Sequence, residues 1–244
     1  MKDDAQVHQK RGWTGTIITL VILFLLGAFV WRVVFFTAQI RNGGLNLSDL
    51  NFSKTVSTMT KLASEPVKEG GLDVAINNRP TLGTKSAPIT IVEFADFGCP
   101  FSRTSSVIIR TLAAKYPNQF SFIYRDFPLP ELHLFAQKAS EAAACAEEQG
   151  KFWEYHDKLY QNQNTLGDDS FEQFANQLNM DTARFHDCYA GHTYAKQIEQ
   201  DYQDGLAAGV RGTPTFFING TRVPGSIPQN ILENVIQSVN AQKN

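Results

Sequence analysis

The sequence predicts an α/β fold, with a helical block inserted between the two halves of one sheet, preceded by one transmembrane helix. Three observations predict it. From about residue 72 the elements run β-β-α-β, a helical block, then β-β-α. Two strand-length runs, ITIVEFA at 89–95 and FSFIYR at 120–125, carry the apolar, β-branched and aromatic residues of buried strands. An apolar run near the N-terminus has the length of a bilayer crossing.

That run is TIITLVILFLLGAFVWRVVFF, residues 16–36. Its one charge, Arg32, lies near the far end, where its stem can reach the headgroups. Trp13 and Trp31 suit the two interfaces. Lys2, Lys10 and Arg11 precede the run, so the positive-inside rule places the N-terminus in the cytoplasm and everything after residue 40 outside. A cleaved signal peptide fits less well. The best cleavage candidate is Ala38, and Phe36 fills the −3 position that needs a small residue. The expected organisation is therefore a cytoplasmic N-terminus and anchor over 1–38, a stalk over 39–71 rich in Asn, Ser, Thr and Gly, and a folded domain over 72–244.

Within that domain, Asp73–Ile76 reads as a short edge strand and 77–88 as turn-rich. A helix is expected from about Pro100 to Tyr116, with Ile108, Leu112 and Tyr116 on one face and Pro117 ending it. Helical patterns follow at about 132–149, 151–162, 170–178, 181–189 and 193–208. Thr215–Ile218, Asn219-Gly220 and Thr221–Val223 read as a hairpin with a type I′ turn. Ile231, Val235, Ile236 and Val239 mark an amphipathic C-terminal helix.

A hydrophobic share of 43% supports a core, and 19% charged residues argue against disorder. A formal net charge of −2 and the lack of a basic stripe argue against nucleic acid as a partner. There is no Walker or Rossmann glycine pattern. The five histidines lack metal-ligand spacing with Cys or carboxylates, so neither metal nor cofactor is expected. His133 reads as a partly buried residue opening the insertion near the active face. Phe152, Trp153 and Tyr155 read as core aromatics.

Cys99 stands where strand 89–95 passes through Asp96-Phe97-Gly98 into a helix, with Pro100 at the first helical position. A sulfur at a helix N-terminus meets free N–H groups and the positive end of the dipole, which favour thiolate. The thiolate is the attacking species in disulfide exchange. Three cysteines, Cys99, Cys145 and Cys188, leave one thiol over once a pair has formed.

VEFADFGCPFS, followed about 110 residues later by GVRGTPTFFING, resembles the DsbA-like thiol–disulfide oxidoreductases, and RPTLGTKSAPITIVEF resembles their membrane-anchored bacterial branch. The resemblance covers about 72–240. It implies a thioredoxin fold with a helical insertion at about 129–190 and an active-site Cys-x-x-Cys. The first cysteine falls on Cys99, but the resolving one falls on Ser102. The motif here is Cys99, Pro100, Phe101, Ser102, and a hydroxyl cannot close a disulfide. A natural monothiol relative and an engineered trap for mixed disulfides both account for the serine.

The resemblance makes Thr213-Pro214 a cis-proline loop beside Cys99, offering backbone to an added substrate strand. It makes Glu93 a buried acid beneath the thiol, its pKa raised by burial. Phe101 stands where some relatives carry a thiolate-stabilising histidine. The resemblance also implies that Cys145 and Cys188 form a structural disulfide, worth about 4 kcal/mol on the chain-entropy model and suited to an oxidising compartment.

The implied activity is extracytoplasmic thiol–disulfide exchange on exported polypeptides through Cys99, forming mixed disulfides that an external thiol or membrane redox partner releases. The alternative is a redox-inactive peptide-binding or chaperone module tethered to the bilayer through residues 16–36.

Overall fold

The computed structural model describes residues 17, 19–24, 26–32 and 34, and residues 78–241. These belong to two separate compact units. In the first, the described residues are helical and exposed, including Ile17, Leu20, Phe24, Phe29 and Trp31. Among the described residues no helix is long and apolar enough to cross a membrane. The span expected over 16–36 includes residues 16, 18, 25, 33, 35 and 36, which lie outside those described. So do the stalk over 39–71 and the edge strand expected at 73–76.

The second unit is built on a five-stranded sheet: β1 Thr81–Gly83, β2 Thr90–Ala95, β3 Ser121–Asp126, β4 Thr215–Ile218 and β5 Thr221–Pro224. Its order is β1-β3-β2-β4-β5. β2 and β3 are parallel, and the other pairs are antiparallel. The parallel pair needs a crossover, supplied by α1, Pro100–Lys115. Between β3 and β4 run α2 Ala136–Glu147, α3 Phe152–Gln161, α4 Asp168–Gln177, α5 Thr182–Ala190 and α6 Ala195–Ala207, and α7 Gln229–Ala241 closes the chain. This is a thioredoxin-like α/β fold.

Strand alternation divides the core. Ile91 and Ala95 of β2 and Phe122 and Tyr124 of β3 face a large cluster that gathers residues from α1 to α5 and α7. Val92, Phe94, Ile123 and Phe217 face a smaller cluster with Phe127, Val210 and the α6 side chains Tyr202 and Leu206. At Gly205 of α6 a Cβ would stand 2.7 Å from Phe127 and 3.0 Å from Phe94, so glycine lets the helix lie directly on these rings. The β4–β5 turn has positive φ at both Asn219 (46°) and Gly220 (79°), as a type I′ turn requires.

Two local expectations are corrected. β1 forms inside the stretch read as turn-rich. It is only three residues long and is held by pairing to β3, with Leu82 packed on the core. The first insertion helix starts at Ala136, not near 132. Pro128 and Pro130 oppose helix in the segment before it, and the Leu129 N–H is committed to Asp96.

Candidate active site

β2 runs buried through the middle of the sheet and ends at Ala95, delivering Asp96-Phe97-Gly98-Cys99 to the N-terminus of α1. Cys99 is the residue just before the helix, with extended backbone, and Pro100 opens the first turn. That turn holds no acidic side chain to offset the positive end of the dipole. Cys99 is 5% exposed, and its thiol donates to the Thr213 carbonyl at 3.2 Å. The Thr213–Pro214 peptide bond is cis. Thr213 Oγ1 is buried without a hydrogen-bond partner among the described residues.

The turn itself is fixed from three sides. Asp96 is fully buried. Its Oδ1 accepts the Gly98 N–H at 2.6 Å, and its Oδ2 accepts the Leu129 N–H at 3.0 Å and meets His133 Nδ1 at 2.8 Å. Its backbone carbonyl accepts the Cys99 N–H at 3.0 Å and the Tyr160 hydroxyl at 3.4 Å. Gln163 Nε2 donates to the Phe97 carbonyl at 2.8 Å and the Cys99 carbonyl at 2.9 Å. The Phe97 ring packs among Tyr124, Tyr160 and His156, with centroids at 5.3, 5.0 and 5.7 Å.

Ser102 is fully buried, and its Oγ accepts the Asp96 N–H at 3.4 Å. The hydroxyl thus braces the turn but supplies no second sulfur. Phe101 is 65% exposed, and its carbonyl accepts the Ser226 hydroxyl at 3.3 Å. Glu93 lies on β2, two residues from both Ile91 and Ala95, and so on the same face as the large cluster. It is 2% exposed, and Oε1 has no partner among the described residues. Burial pushes its carboxyl well above the usual carboxylate range. Burial also raises the hydroxyls of Tyr124, with Tyr160 and Asp126 adding to it, and of Tyr160, with Glu93 adding to it. The geometry therefore sets one thiol at the start of a helix against the backbone carbonyl before a cis proline, with a buried acid on the strand that leads to it.

Cys145 of α2 and Cys188 of α5 are joined in a disulfide, 43 residues apart in sequence, leaving Cys99 as the free thiol. His133 lies in a turn before α2 and reaches the active-site loop through Asp96. Phe152 and Tyr155 are buried, and Trp153 packs partly buried, its Nε1 donating to the Thr81 carbonyl at 3.3 Å. Among the described residues no three His, Cys, Asp or Glu side chains are arranged to hold a metal ion.

Sequence reading missed Asp96 and Gln163 as parts of the site. Asp96 did carry a signal: an Asp two residues before a glycine is the pattern of a side chain capping its own turn. Gln163 carried none, because it arrives from a 3₁₀ turn 64 residues beyond Cys99.

Residues 76–238 match a family model described as thioredoxin. In sequence the chain is 38% identical over 167 residues to a Na(+)/H(+) antiporter NhaA 3 of Salinispora tropica, a match covering 67% of this chain and 25% of the relative. The chain thus spans about a quarter of the length of the first such curated relatives. In structure it is similar to a thioredoxin-like oxidoreductase from Silicibacter pomeroyi DSS-3, with a TM-score of 0.59, 26% identity, and coverage of 70% of this chain and 96% of that one. It is also similar to the thiol-disulfide exchange protein alpha-DsbA2 from Wolbachia pipientis, with a TM-score of 0.60, 21% identity, and coverage of 76% and 98%.

Proposed function

This chain belongs to the thioredoxin family, and from that premise we propose that it performs thiol–disulfide exchange on exported polypeptides through Cys99. The observation that carries the reading is a single free thiol at a helix N-terminus, 3.2 Å from the carbonyl before a cis proline. The Cys99 thiolate attacks one sulfur of a substrate disulfide, and the electron pair of the broken S–S bond leaves on the other substrate sulfur. The product is a mixed disulfide with Cys99. Ser102 cannot resolve it, and Cys145 and Cys188 are bonded to each other. A second thiolate from outside must therefore attack, restoring Cys99 and completing the interchange. Glu93 takes up or returns the thiol proton beneath the site. The likeness to a thioredoxin-like oxidoreductase at 26% identity is consistent with this chemistry.

The same proposal places the domain outside the cytoplasmic membrane, anchored through residues 16–36. The apolar run preceded by Lys2, Lys10 and Arg11 supports this, as does the Cys145–Cys188 disulfide, a bond that persists in oxidising compartments. External protease on intact cells should release the domain, and protection from it would overturn the placement.

The exchange reading is tested by incubating the folded protein with a disulfide-bonded peptide and looking for a mixed disulfide by intact mass. Wild type should form one adduct and Cys99→Ala none; an adduct on Cys145 or Cys188 instead would sink the reading. The exposed Phe101, Leu132 and Leu134, at 65%, 73% and 78%, favour a second one, polypeptide binding without chemistry. On that reading Cys99→Ala keeps full activity against an aggregating unfolded substrate.

A further inference from the structure

Asp96 is a fully buried carboxylate three residues from Cys99, and among the described residues its ion-pair partner is His133. An ionised carboxylate only accepts hydrogen bonds, so the 2.8 Å contact assigns a proton to His133 Nδ1. The Nε2 atom has no hydrogen-bond partner among the described residues, and the side chain is 23% exposed.

The stem of His133 lies directly on the turn that carries the thiol: a methyl group on Gly98 would stand 2.3 Å from His133 Cβ and 2.7 Å from Cγ. Through Asp96 the histidine is one bond from the Gly98 N–H, and the Asp96 carbonyl in turn holds the Cys99 N–H. The other titratable groups about this turn are Glu93 on β2, Tyr124 on β3, Tyr160 and His156 on α3, and Cys99 itself. None of them is a lysine or arginine, and Phe101, the side chain next to Pro100, is uncharged.

We propose that His133 is a positioning residue for Cys99: by donating a hydrogen bond to Asp96 it holds the Gly98–Cys99 turn and weakens the carboxylate field that the thiolate meets. The inference rests on Cys99 being the reacting thiol. Its physical content is that an unpaired carboxylate close by disfavours a second negative charge, whereas a hydrogen bond donated to that carboxylate reduces the penalty. The histidine thus reaches the site from the insertion rather than from the active-site motif.

The test is the rate of Cys99 alkylation by iodoacetamide in the folded protein across pH 4 to 9, for wild type, His133→Asn and His133→Gln. Asn carries its amide N–H at the position of Nδ1, and Gln carries it at the position of Nε2. His133→Gln should move the midpoint of the profile to higher pH and slow the reaction below that midpoint about tenfold, the equivalent of one pKa unit. His133→Asn should stay close to wild type. Equal rates and midpoints for Gln and wild type would overturn the proposal, as would Asn and Gln variants that are equally impaired. A wild-type thiol that does not react at neutral pH would instead remove the exchange reading beneath it. Should His133→Gln not fold, Asp96→Asn carries the comparison: removing the carboxylate charge should move the midpoint to lower pH, and no movement would overturn the proposal.

Discussion

The two faces of the sheet bury carboxylates in opposite ways. On the α6 face, Asp201 is wholly buried and paired with two guanidiniums, Arg79 at 2.7 Å and Arg125 at 2.8 Å, and Arg125 also meets Asp204 at 2.6 Å. The Asp126 N–H adds a bond to Asp201 at 3.2 Å. Two positive charges thus face two negative ones. The Asp126 side chain, two residues from Tyr124 and so turned away from α6, is pushed up to about 8 by burial first and then by Asp201. On the face of the large cluster Glu93 is also buried but has no cation partner among the described residues, and burial pushes its carboxyl well above the usual range. The difference separates architecture from chemistry. A charge that holds α6 to β3 is neutralised by a partner, whereas the buried acid on β2 is pushed toward its neutral form by burial.

Removing one partner is the strongest way to break this contrast. Asp201→Ala leaves Arg79 and Arg125 buried without their main counter-charge, and should lose about 3–5 kcal/mol of unfolding free energy in urea. The alkylation rate of Cys99 in the molecules that remain folded should not change. A variant that kept its stability but altered the thiol would dissolve the division between the faces.

On the Glu93 side the insertion carries a covalent clamp, the Cys145–Cys188 disulfide. Replacing both Cys145 and Cys188 by serine should cost about 2–5 kcal/mol by the same measurement. Cys99 should remain the only group modified by iodoacetamide.

The pH dependence sharpens the comparison further. Glu93 holds its proton more tightly folded than unfolded, so the native state binds more protons once the unfolded chain ionises. Stability is therefore greatest below the ordinary glutamate pKa and falls as pH rises above it. Asp126, raised to about 8, and Glu147, raised to about 7, act with the same sign over about pH 4 to 8. Thermal unfolding should show a melting temperature declining across that window. Glu93→Gln should flatten the decline, match wild type near pH 4 and melt higher at pH 8. In exchange assays the same variant should turn over more slowly, because the amide has no acidic proton to give the leaving thiolate. A steeper decline in Glu93→Gln would show that Glu93 is ionised in the folded state.

The smallest effect is expected at the surface. Lys138 and Asp168 pair at 2.7 Å but are about half exposed. Lys138→Ala should change stability by less than about 1 kcal/mol.

What could be read from the sequence depended on whether a feature was written in contiguous residues. The strand 89–95, the helix start at Pro100, the Asn219-Gly220 turn and the Cys99 thiol each announce themselves within a dozen residues. Glu93 and Thr213-Pro214 became legible only through the resemblance. β1 was misplaced because three residues carry no period, and its strand character comes from β3 beside it. The Asp201 cluster was invisible for a related reason. Arg79, Arg125 and Asp201 are separated by at least 46 residues, and each looks like an ordinary surface charge until α6 lies on the sheet. His133 was read as a helix opener because its neighbours have helical periodicity. The prolines before it and the demand of Asp96 for a donor override that pattern.

Ser102 has a consequence for timing. On the proposed exchange reading, no internal sulfur discharges a covalent complex at Cys99, which then has no clock of its own. Its lifetime is set from outside, shortening in proportion to the concentration of free thiol around it. On that reading the protein would be a slow capture device where thiols are scarce and a rapid relay where they are abundant. One buried hydroxyl, braced against Asp96, hands control of residence time from the fold to its surroundings.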